Sequence, residues 1–177
     1  RDAGIDIIPS YVFSFYDQVV DMTALLGAVP GRFGPVGERV TTAQYFAMAR
    51  GTQAAPAMEM TKWFDTNYHY IVPEFTNGQH FRRASLKPVE EFLEARALGI
   101  HTRPVLLGPV SWLSLGKAKD PGLDPLAYLP AILPIYADIL SRLAAAGADW
   151  VQIDEPVLVT DLTPAQRRAL GRAYAEL

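Results

Sequence analysis

Four short, largely apolar runs, each containing a proline, most constrain what this chain can fold into. They occupy residues 5–9, 69–73, 103–109 and 150–156. Their apolar residues are continuous rather than alternating, which is typical of strands buried on both faces of a parallel sheet. Because proline has no N–H to donate to a sheet, we expect each strand to end at its proline.

Helical patterns lie between and after these runs. They are the stripe Tyr16, Val19, Val20 and Leu26; the stripe Val89, Phe92, Leu93 and Leu98, opened by Lys87-Pro88 and closed by Gly99; the stripe Ile132, Leu133, Tyr136, Ile139, Leu140 and Leu143, ending near Gly147; and a helix opened by the capping box Thr163-Pro164-Ala165-Gln166. Proline in a first turn, Thr followed by Gln three residues later, and glycine at the end are helix boundary signals.

The alternation of strand and helix predicts an α/β fold with four parallel strands, centred near Ile7, Ile71, Leu106 and Val151, and helices on one side. Either an open sheet or a partial (β/α)8 TIM-type barrel of about four βα units fits this pattern. Residues 1–177 are expected to form one such partial domain. The exception is the stretch 27–60, which is long for a connection and holds a short helical piece, 41–50.

Composition excludes several classes of protein. Half of the 177 residues are hydrophobic, which excludes intrinsic disorder, and the net charge of -3 argues against nucleic-acid binding. The absence of cysteine removes disulfides, thiolate metal sites and cysteine nucleophiles, and is compatible with a cytoplasmic protein. No signal peptide is visible, and proline, glycine or charge interrupts the apolar stretches before the ~20 residues of a membrane span, so we expect no membrane contact.

The two ends suggest that this sequence is part of a longer chain. It begins at Arg1 rather than Met, and residues 167–177 are helical in pattern with no stop signal. A half-barrel would also leave sheet edges and an inner face uncovered, so we expect some self-association of the chain on its own.

Carboxylates at predicted strand ends are the first candidates for chemistry. Asp154 and Glu155 follow the last strand, and Glu74 follows the second. In a β/α barrel the carboxyl ends of the strands carry the active site, where such groups bind a cation, accept from an amine, or act as acid and base. The alternative is structural, because strand-end carboxylates also cap the next helix or pair with arginine.

A dense aromatic cluster around Lys62 is the second candidate. The segment 58–70 places this lysine among Trp63, Phe64, Tyr68 and Tyr70. A lysine ammonium suits carboxylates or phosphates, and aromatic rings stack on heterocycles. The alternative is an aromatic seal over the sheet, with Lys62 in solvent.

Other catalytic patterns are missing. The sequence has no nucleotide-binding glycine loop, no HExxH and no GxSxG motif. His69, His80 and His101 are not at metal-ligand spacing, and neither serine flanking Trp112 has an identifiable histidine partner. Apart from the strand-end carboxylates, which stay open, these patterns predict no catalytic residue and no metal ligand in this chain.

Three segments resemble the amino-terminal domain of the cobalamin-independent methionine synthase family. They are residues 58–75, which contain Met60-Thr61-Lys62-Trp63-Phe64 and Tyr68-His69-Tyr70, residues 103–113 and residues 151–158. Their order and spacing match, and the resemblance extends over essentially the whole chain.

The resemblance implies a two-barrel methyltransferase of methionine biosynthesis. Such an enzyme passes a methyl group from the folate 5-methyltetrahydropteroyltriglutamate to homocysteine. A zinc ion in its carboxy-terminal barrel, held by histidine, glutamate and two cysteines, binds the homocysteine thiol as thiolate. This chain has no cysteine, so the zinc ligands are expected in the missing carboxy-terminal barrel.

The resemblance assigns one site residue here. The amino-terminal barrel helps to hold the folate polyglutamate tail through a basic motif absent from this sequence and through the lysine that matches Lys62. Asp154 resembles a substrate-binding aspartate of the other barrel, and is expected to be a structural remnant here. Two alternatives stay open: a stand-alone barrel enzyme using Asp154, Glu155 and Glu74, and a non-catalytic structural module.

Overall fold

The computed structural model describes residues 4–177 of the chain. The strands in this range are β1 (Ile8–Ser10), β2 (Met60–Lys62), β3 (His69–Ile71), β4 (Glu74–Phe75), β5 (Thr102–Leu107), β6 (Lys117–Ala118) and β7 (Gln152–Asp154). The helices are α1 (Gln18–Leu25), α2 (Thr42–Arg50), α3 (Lys87–Ala97), α4 (Pro109–Leu115), α5 (Leu129–Ala145) and α6 (Pro164–Glu176). Short 3-10 helices lie at Gly31–Phe33, Pro125–Tyr128 and Pro156–Val159.

A parallel sheet of three strands is the centre of the fold. Its order is β1-β5-β7, with Ile8 opposite Thr102 and Leu106 opposite Ile153. Thr102 and Leu106 are buried on one face of β5, and α1 and α3 pack against that strand. On the other face Arg103 and Val105 are only half-buried. The prediction of an α/β fold with parallel strands is therefore confirmed.

The second predicted strand is present, but its predicted parallel pairing is wrong. β3, around Ile71, pairs antiparallel with β2, and Thr61 lies opposite Tyr70. In the predicted order this strand would lie between β1 and β5, but β1 and β5 pair directly with each other. A short turn joins β3 to β2, so these two strands form a hairpin with little loss of chain entropy. The described residues thus contain three parallel strands of the main sheet rather than four, and they form no closed barrel.

Other details of the predicted strands and helices also differ. Pro9 lies inside β1, an edge strand that tolerates its missing N–H, and β7 begins at Gln152. Leu93 and Leu98 are 46% and 79% exposed rather than part of the buried stripe. Successive residues lie about 100° apart around a helix, so burial of Phe92 turns Leu93 away from the core, and Leu98 lies beyond the last residue of α3.

The helix boundary signals are confirmed. Thr163 and Gln166 form the capping box of α6, and Pro88 stands in the first turn of α3. Gly99 has φ +73°, a left-handed conformation that favours glycine after a helix. α4, which begins directly at the exit of β5, was not predicted, because its Pro109 was interpreted only as the end of a strand.

The apolar stretch at α5 is longer than the sequence analysis predicted. Together with the preceding 3-10 turn, residues Pro125–Ala145 are long and apolar enough to cross a membrane by length and composition alone. Its buried side chains include Ile132, Tyr136 and Ile139, which belong to the main core. This packing explains the apolar stripe, because core helices have the same composition.

The long stretch 27–60 has a core of its own. Tyr45 and Met48 of α2 pack with Met58 and with Ile71 of the hairpin in a second apolar cluster. The predicted helical piece is confirmed as α2, capped by Thr41. This second core fixes the hairpin β2–β3 against the rest of the protein.

Candidate functional site

The hairpin β2–β3 lies over the carboxyl ends of two parallel strands. The Tyr68 hydroxyl donates to the carbonyl oxygen of Tyr16, in the loop that follows β1, at 3.4 Å. The Tyr70 hydroxyl donates to the carbonyl oxygen of Leu115, the last residue of the helix that follows β5, at 2.9 Å. The predicted Lys62 cluster therefore stands at the end of the sheet where parallel α/β folds bind ligands.

Lys62 is the last residue of β2 and lies opposite His69 in the hairpin. It is exposed, and its ammonium has no hydrogen bond, ion pair or aromatic contact within residues 4–177. Most of the other cationic side chains in this range are paired with a carboxylate or bonded to a carbonyl oxygen. Lys62 is thus available for an anion that approaches the hairpin from solvent.

The aromatic residues around Lys62 form a partial seal. The ring of Trp63 makes edge contacts with Phe64, Tyr68 and Tyr70, at centroid distances of 5.2, 6.5 and 5.7 Å. Tyr70 is buried, while Tyr68 is 48% exposed. Trp63 and Tyr68 also line an open groove of about 490 Å³ against the loop that follows β1. The cluster therefore both closes the core and presents aromatic surface to solvent.

Asp17 attaches the hairpin to α1. Its Oδ1 accepts from the N–H groups of Val19 and Val20 as the N-cap of α1, at 2.7 and 2.8 Å, and its Oδ2 accepts from the N–H of Ile71, at 2.8 Å. Burial raises the pKa of Asp17 to about 6, and the nearby charge of Asp21 adds to the effect against the three hydrogen bonds. Sequence reasoning missed this residue, although Asp before an apolar helix is an N-cap signal.

A second buried carboxylate, Asp21, holds the loop after β1 in place. It accepts from the hydroxyls of Ser14 and Tyr45, at 3.0 and 2.6 Å, and forms an ion pair with Lys87 at 3.0 Å. Burial, followed by the hydrogen bond to Asp21 and its charge, raises the pKa of Tyr45 far above its usual value. Each of these side chains has a partner within the network. We therefore interpret the network as holding the loop in place rather than as a ligand site.

Glu74 forms an ion pair with an arginine, as the structural interpretation of the strand-end carboxylates predicted. Arg32 donates through both terminal nitrogens to the two oxygens of Glu74, at 2.6 and 2.8 Å. Burial raises the pKa of Glu74, but the hydrogen bond and charge of Arg32, with the charge of Lys119, outweigh burial and hold the pKa below its usual value. Glu74 is therefore an ionised member of an ion pair.

Glu155 caps a helix. Its two oxygens accept from the N–H groups of Val110 and Ser111 in the first turn of α4, at 3.1 and 2.6 Å, and Tyr174 donates to it at 3.1 Å. A Cβ at position 108 would overlap the Glu155 carboxyl group, so the tight approach requires Gly108. Asp154, half-buried, accepts from the Gln152 amide at 2.6 Å.

The three candidate carboxylates are thus not brought together in one site. Glu74, Asp154 and Glu155 have no hydrogen-bond partner in common. Trp112 is fully buried and donates to Thr23 at 3.2 Å, and Ser111 is buried beside it, which leaves no serine nucleophile at this strand exit.

Metal ligands do not cluster in the part of the chain that the structure describes. No group of three or more His, Asp or Glu side chains within residues 4–177 could hold a metal ion. His101 pairs with Asp149 at 3.0 Å, and the Nδ1 of His69 lies 2.9 Å from the carbonyl oxygen of Asn67. With no cysteine in the sequence, the chain does not fit a thiolate zinc site.

The fold and site define an α/β protein with a short parallel sheet and a ligand-accessible lysine hairpin at its carboxyl end. Residues 1–177 match the family model described as "Cobalamin-independent synthase, N-terminal domain". The chain belongs to this family. The resemblance of the hairpin segment to the family is thereby confirmed.

Named relatives agree with this assignment. Proteins called 5-methyltetrahydropteroyltriglutamate–homocysteine methyltransferase match from Nitrobacter winogradskyi at 54% identity and from Chelativorans sp. at 58%, each over 100% of this chain and 25% of the relative. That from Nitrosomonas europaea is 53% identical over 100% of this chain and 23% of the relative. The chain spans about a quarter of the length of these relatives.

Proposed function

We propose that this chain is part of the amino-terminal barrel of a methyltransferase that passes a methyl group from 5-methyltetrahydropteroyltriglutamate to homocysteine. The family membership and the printed names of the relatives support this proposal. In this proposal the chain forms part of the scaffold and contacts the glutamate tail of the folate, but it does not carry out the chemical step. We also propose that the protein acts in the cytoplasm.

The free ammonium of Lys62 is the observation that carries the tail-binding role. A glutamate tail is a chain of carboxylates, and an exposed lysine without a partner meets such a group at little desolvation cost. The position of the hairpin, over the carboxyl ends of β1 and β5, supports the same role.

A partial (β/α)8 barrel is the architecture that we propose for this domain. β1, β5 and β7 lie side by side in the parallel sheet in the same order as they occur along the chain, which is the order of successive barrel strands. In this arrangement the hairpin β2–β3 is an insertion between two barrel strands. A structure that includes the rest of the protein tests this proposal directly.

The proposed chemistry requires residues outside this chain. Bound zinc would supply a thiolate form of homocysteine, but the described residues do not fit a zinc site, so the ligands would belong to a carboxy-terminal barrel. This chain's own contribution is to hold the folate by its tail, so that its methyl group is presented to that barrel.

Replacing Lys62 by alanine in the full-length enzyme tests the tail contact. We expect KM for the triglutamyl folate to rise roughly 10- to 100-fold, from a charge-assisted hydrogen bond of ~1.5–3 kcal/mol. kcat should change little, because a tail remote from the methyl group contributes uniform binding. The loss should shrink with added salt and with a shorter tail.

Two control variants sharpen this experiment. Lys62→Arg keeps the charge and should retain most of the affinity, while Arg172→Ala removes an exposed charge on α6 and should leave KM unchanged. An equal loss of affinity for one and for three glutamates in Lys62→Ala would show that Lys62 is not the anchor of the tail.

A further inference from the structure

We call the face of the parallel sheet opposite the buried Thr102 and Leu106 the open face. Side chains alternate between the two faces of a strand, so Arg103 and Val105 of β5 point to the open face, where both are only half-buried. β5 is the middle strand of the sheet, between β1 and β7. The open face therefore carries a permanently charged guanidinium on its central strand.

Arg103 has no partner within residues 4–177. Its Nε is buried without a hydrogen-bond acceptor, and its guanidinium makes no hydrogen bond, ion pair or aromatic contact in this range. Pro9 lies opposite it in β1, and the register of β5 with β7 sets Trp150 level with it on the other side. Neither of these side chains is a hydrogen-bond acceptor, so the neighbouring strands do not satisfy the arginine.

The acidic groups of the surroundings do not neutralise Arg103. It lines an open cavity of about 440 Å³ at the amino ends of β1 and β5, and Asp6 lines the same cavity but forms no ion pair with it. Asp149 is paired with His101 at 3.0 Å, and the half-buried Asp154 already accepts from an amide. The positive charge of Arg103 is thus uncompensated in the part of the chain that the structure describes.

We infer that a carboxylate from a part of the full-length protein outside residues 1–177 lies over the open face and forms an ion pair with Arg103. This inference rests on the proposed barrel, which supplies the segment that covers the face. The chain spans about a quarter of the length of its relatives, so most of such a protein is available to cover it.

The chemistry of a covered sheet face requires a carboxylate at this position. Parallel sheets are usually covered on both faces, and a covered charge is unfavourable unless it is paired. The backbone carbonyl groups of barrel strands bond to the neighbouring strands, so the acceptor has to come from a side chain. A carboxylate supplies the opposite charge and matches the forked N–H groups of arginine.

A second copy of this chain is the less favourable occupant. A symmetric pair presents the same patch from both copies, so it would bring two uncompensated Arg103 side chains to one interface. The exposed Ile7 and Trp150 favour apolar contact between isolated chains, but that contact leaves each arginine without an anion. Charge complementarity therefore favours an acidic segment of the same protein.

A crystal structure of the full-length protein tests the inference directly. It should place an oxygen of an Asp or Glu from outside residues 1–177 within about 3.2 Å of a nitrogen of Arg103. This measurement uses the unaltered protein, so it does not depend on whether any variant of Arg103 folds.

Replacing Arg103 by methionine in the full-length protein gives the energetic test. Methionine keeps an unbranched apolar stem but removes the charge, so the partner carboxylate would be left covered and unpaired. Arg103→Met should raise the unfolding equilibrium constant, measured by pulse proteolysis in urea, roughly 100- to 1,000-fold. Arg103→Lys keeps the charge without the fork and should have a smaller effect. Arg172→Met makes the same change in an exposed ion pair on α6 and should change the constant about fivefold or less.

The outcomes separate this inference from the proposed function. A closed barrel in which Arg103 contacts only water or backbone carbonyls, or pairs with a carboxylate of residues 1–177 or of a second copy, overturns the inference and leaves the barrel standing. An open face that remains in solvent in the full-length protein contradicts both. An effect of Arg103→Met no larger than that of Arg172→Met also overturns the inference, and it leaves the role of Lys62 untouched.

Discussion

Asp17 combines two effects of opposite sign on one carboxyl group. Three backbone N–H groups favour its charged form, while nearly complete burial and the charge of Asp21 favour the neutral form. Burial prevails, and the pKa rises to about 6. Lys62 has the contrasting environment, because it is exposed and without a partner in the described residues. At this end of the sheet the buried Asp17 therefore has a structural role, whereas the exposed Lys62 is accessible to a ligand.

The pKa of Asp17 gives a prediction about pH dependence. The folded state binds the proton more tightly than the unfolded state, whose carboxyl has its usual pKa near 3.8. The contribution of Asp17 to stability therefore falls as pH rises from about 4 to about 6, by up to ~3 kcal/mol. A carbon NMR titration of the Asp17 carboxyl should have its midpoint near pH 6.

Glu74 supplies the internal comparison for that titration. Its pKa is lowered, so its contribution to stability is lost as pH falls through the acidic range, opposite in sign to Asp17. Asp17→Asn should remove the resonance that titrates near pH 6 and leave that of Glu74 in place. A midpoint for Asp17 below pH 4 would mean that its hydrogen bonds outweigh its burial.

At the level of secondary structure elements, a side chain just after one strand caps the helix that follows a neighbouring strand. Glu155, just after β7, accepts from two N–H groups in the first turn of α4, and α4 follows β5 directly. At α4 this contact replaces a local cap, since Gly108 has no side chain. Asp17 is instead the local N-cap of α1, and it also accepts from the N–H of Ile71 in the hairpin. The relative positions of the strand exits therefore depend on a few buried carboxylates.

Glu155→Gln tests whether this carboxylate is structural. The amide would place an N–H donor against a backbone N–H of α4, so we expect a loss of about 1–3 kcal/mol in the free energy of unfolding, measured by urea denaturation. Asp154→Asn is the matched control and should change stability by less than about 1 kcal/mol, because Asp154 contacts only the Gln152 amide. A stable Glu155→Gln variant that has lost activity would instead favour the stand-alone enzyme with catalytic carboxylates.

For the whole molecule, the parallel sheet has two outer strands and one half-buried face within the described residues. β1 and β7 are the edge strands, and Ile7 and Trp150 near them are 61% and 76% exposed. Parallel sheets are usually covered on both faces. The surface around β1 and β7 therefore presents open strand edges beside exposed apolar side chains, a combination that favours association.

We predict that the 177-residue chain, isolated, self-associates through this surface. Light scattering at high protein concentration should give a mass above that of the monomer, and Ile7→Lys should lower it, because a charge on an edge opposes strand pairing. Val159→Lys changes an apolar residue that is even more exposed, in the 3-10 turn outside the sheet, and should have little effect. A monomer at all concentrations would contradict the prediction.

Local interactions explain which structural features were predictable. Thr163 and Gln166 cap α6 within one turn, and the left-handed Gly99 ends the α3 segment, so neither needs knowledge of distant residues. The family resemblance also required only the order of residues in the hairpin segment and the two strand segments. By contrast, Leu93 was predicted to be buried because its spacing fits an apolar stripe. The spacing of residues does not show how much of the helix circumference is covered by the core.

The sequence by itself determined the α/β class, most helix boundaries, the family and Lys62 as the candidate tail contact. The tertiary structure alone decided that β3 pairs with β2, that Glu74 and Glu155 have structural partners, and that Arg103 has none within residues 4–177. The reason is physical. Helix caps and turns depend on residues a few positions apart, whereas Arg32 meets Glu74 across 42 positions and Glu155 meets Ser111 across 44, pairings that only the packing of the whole chain creates.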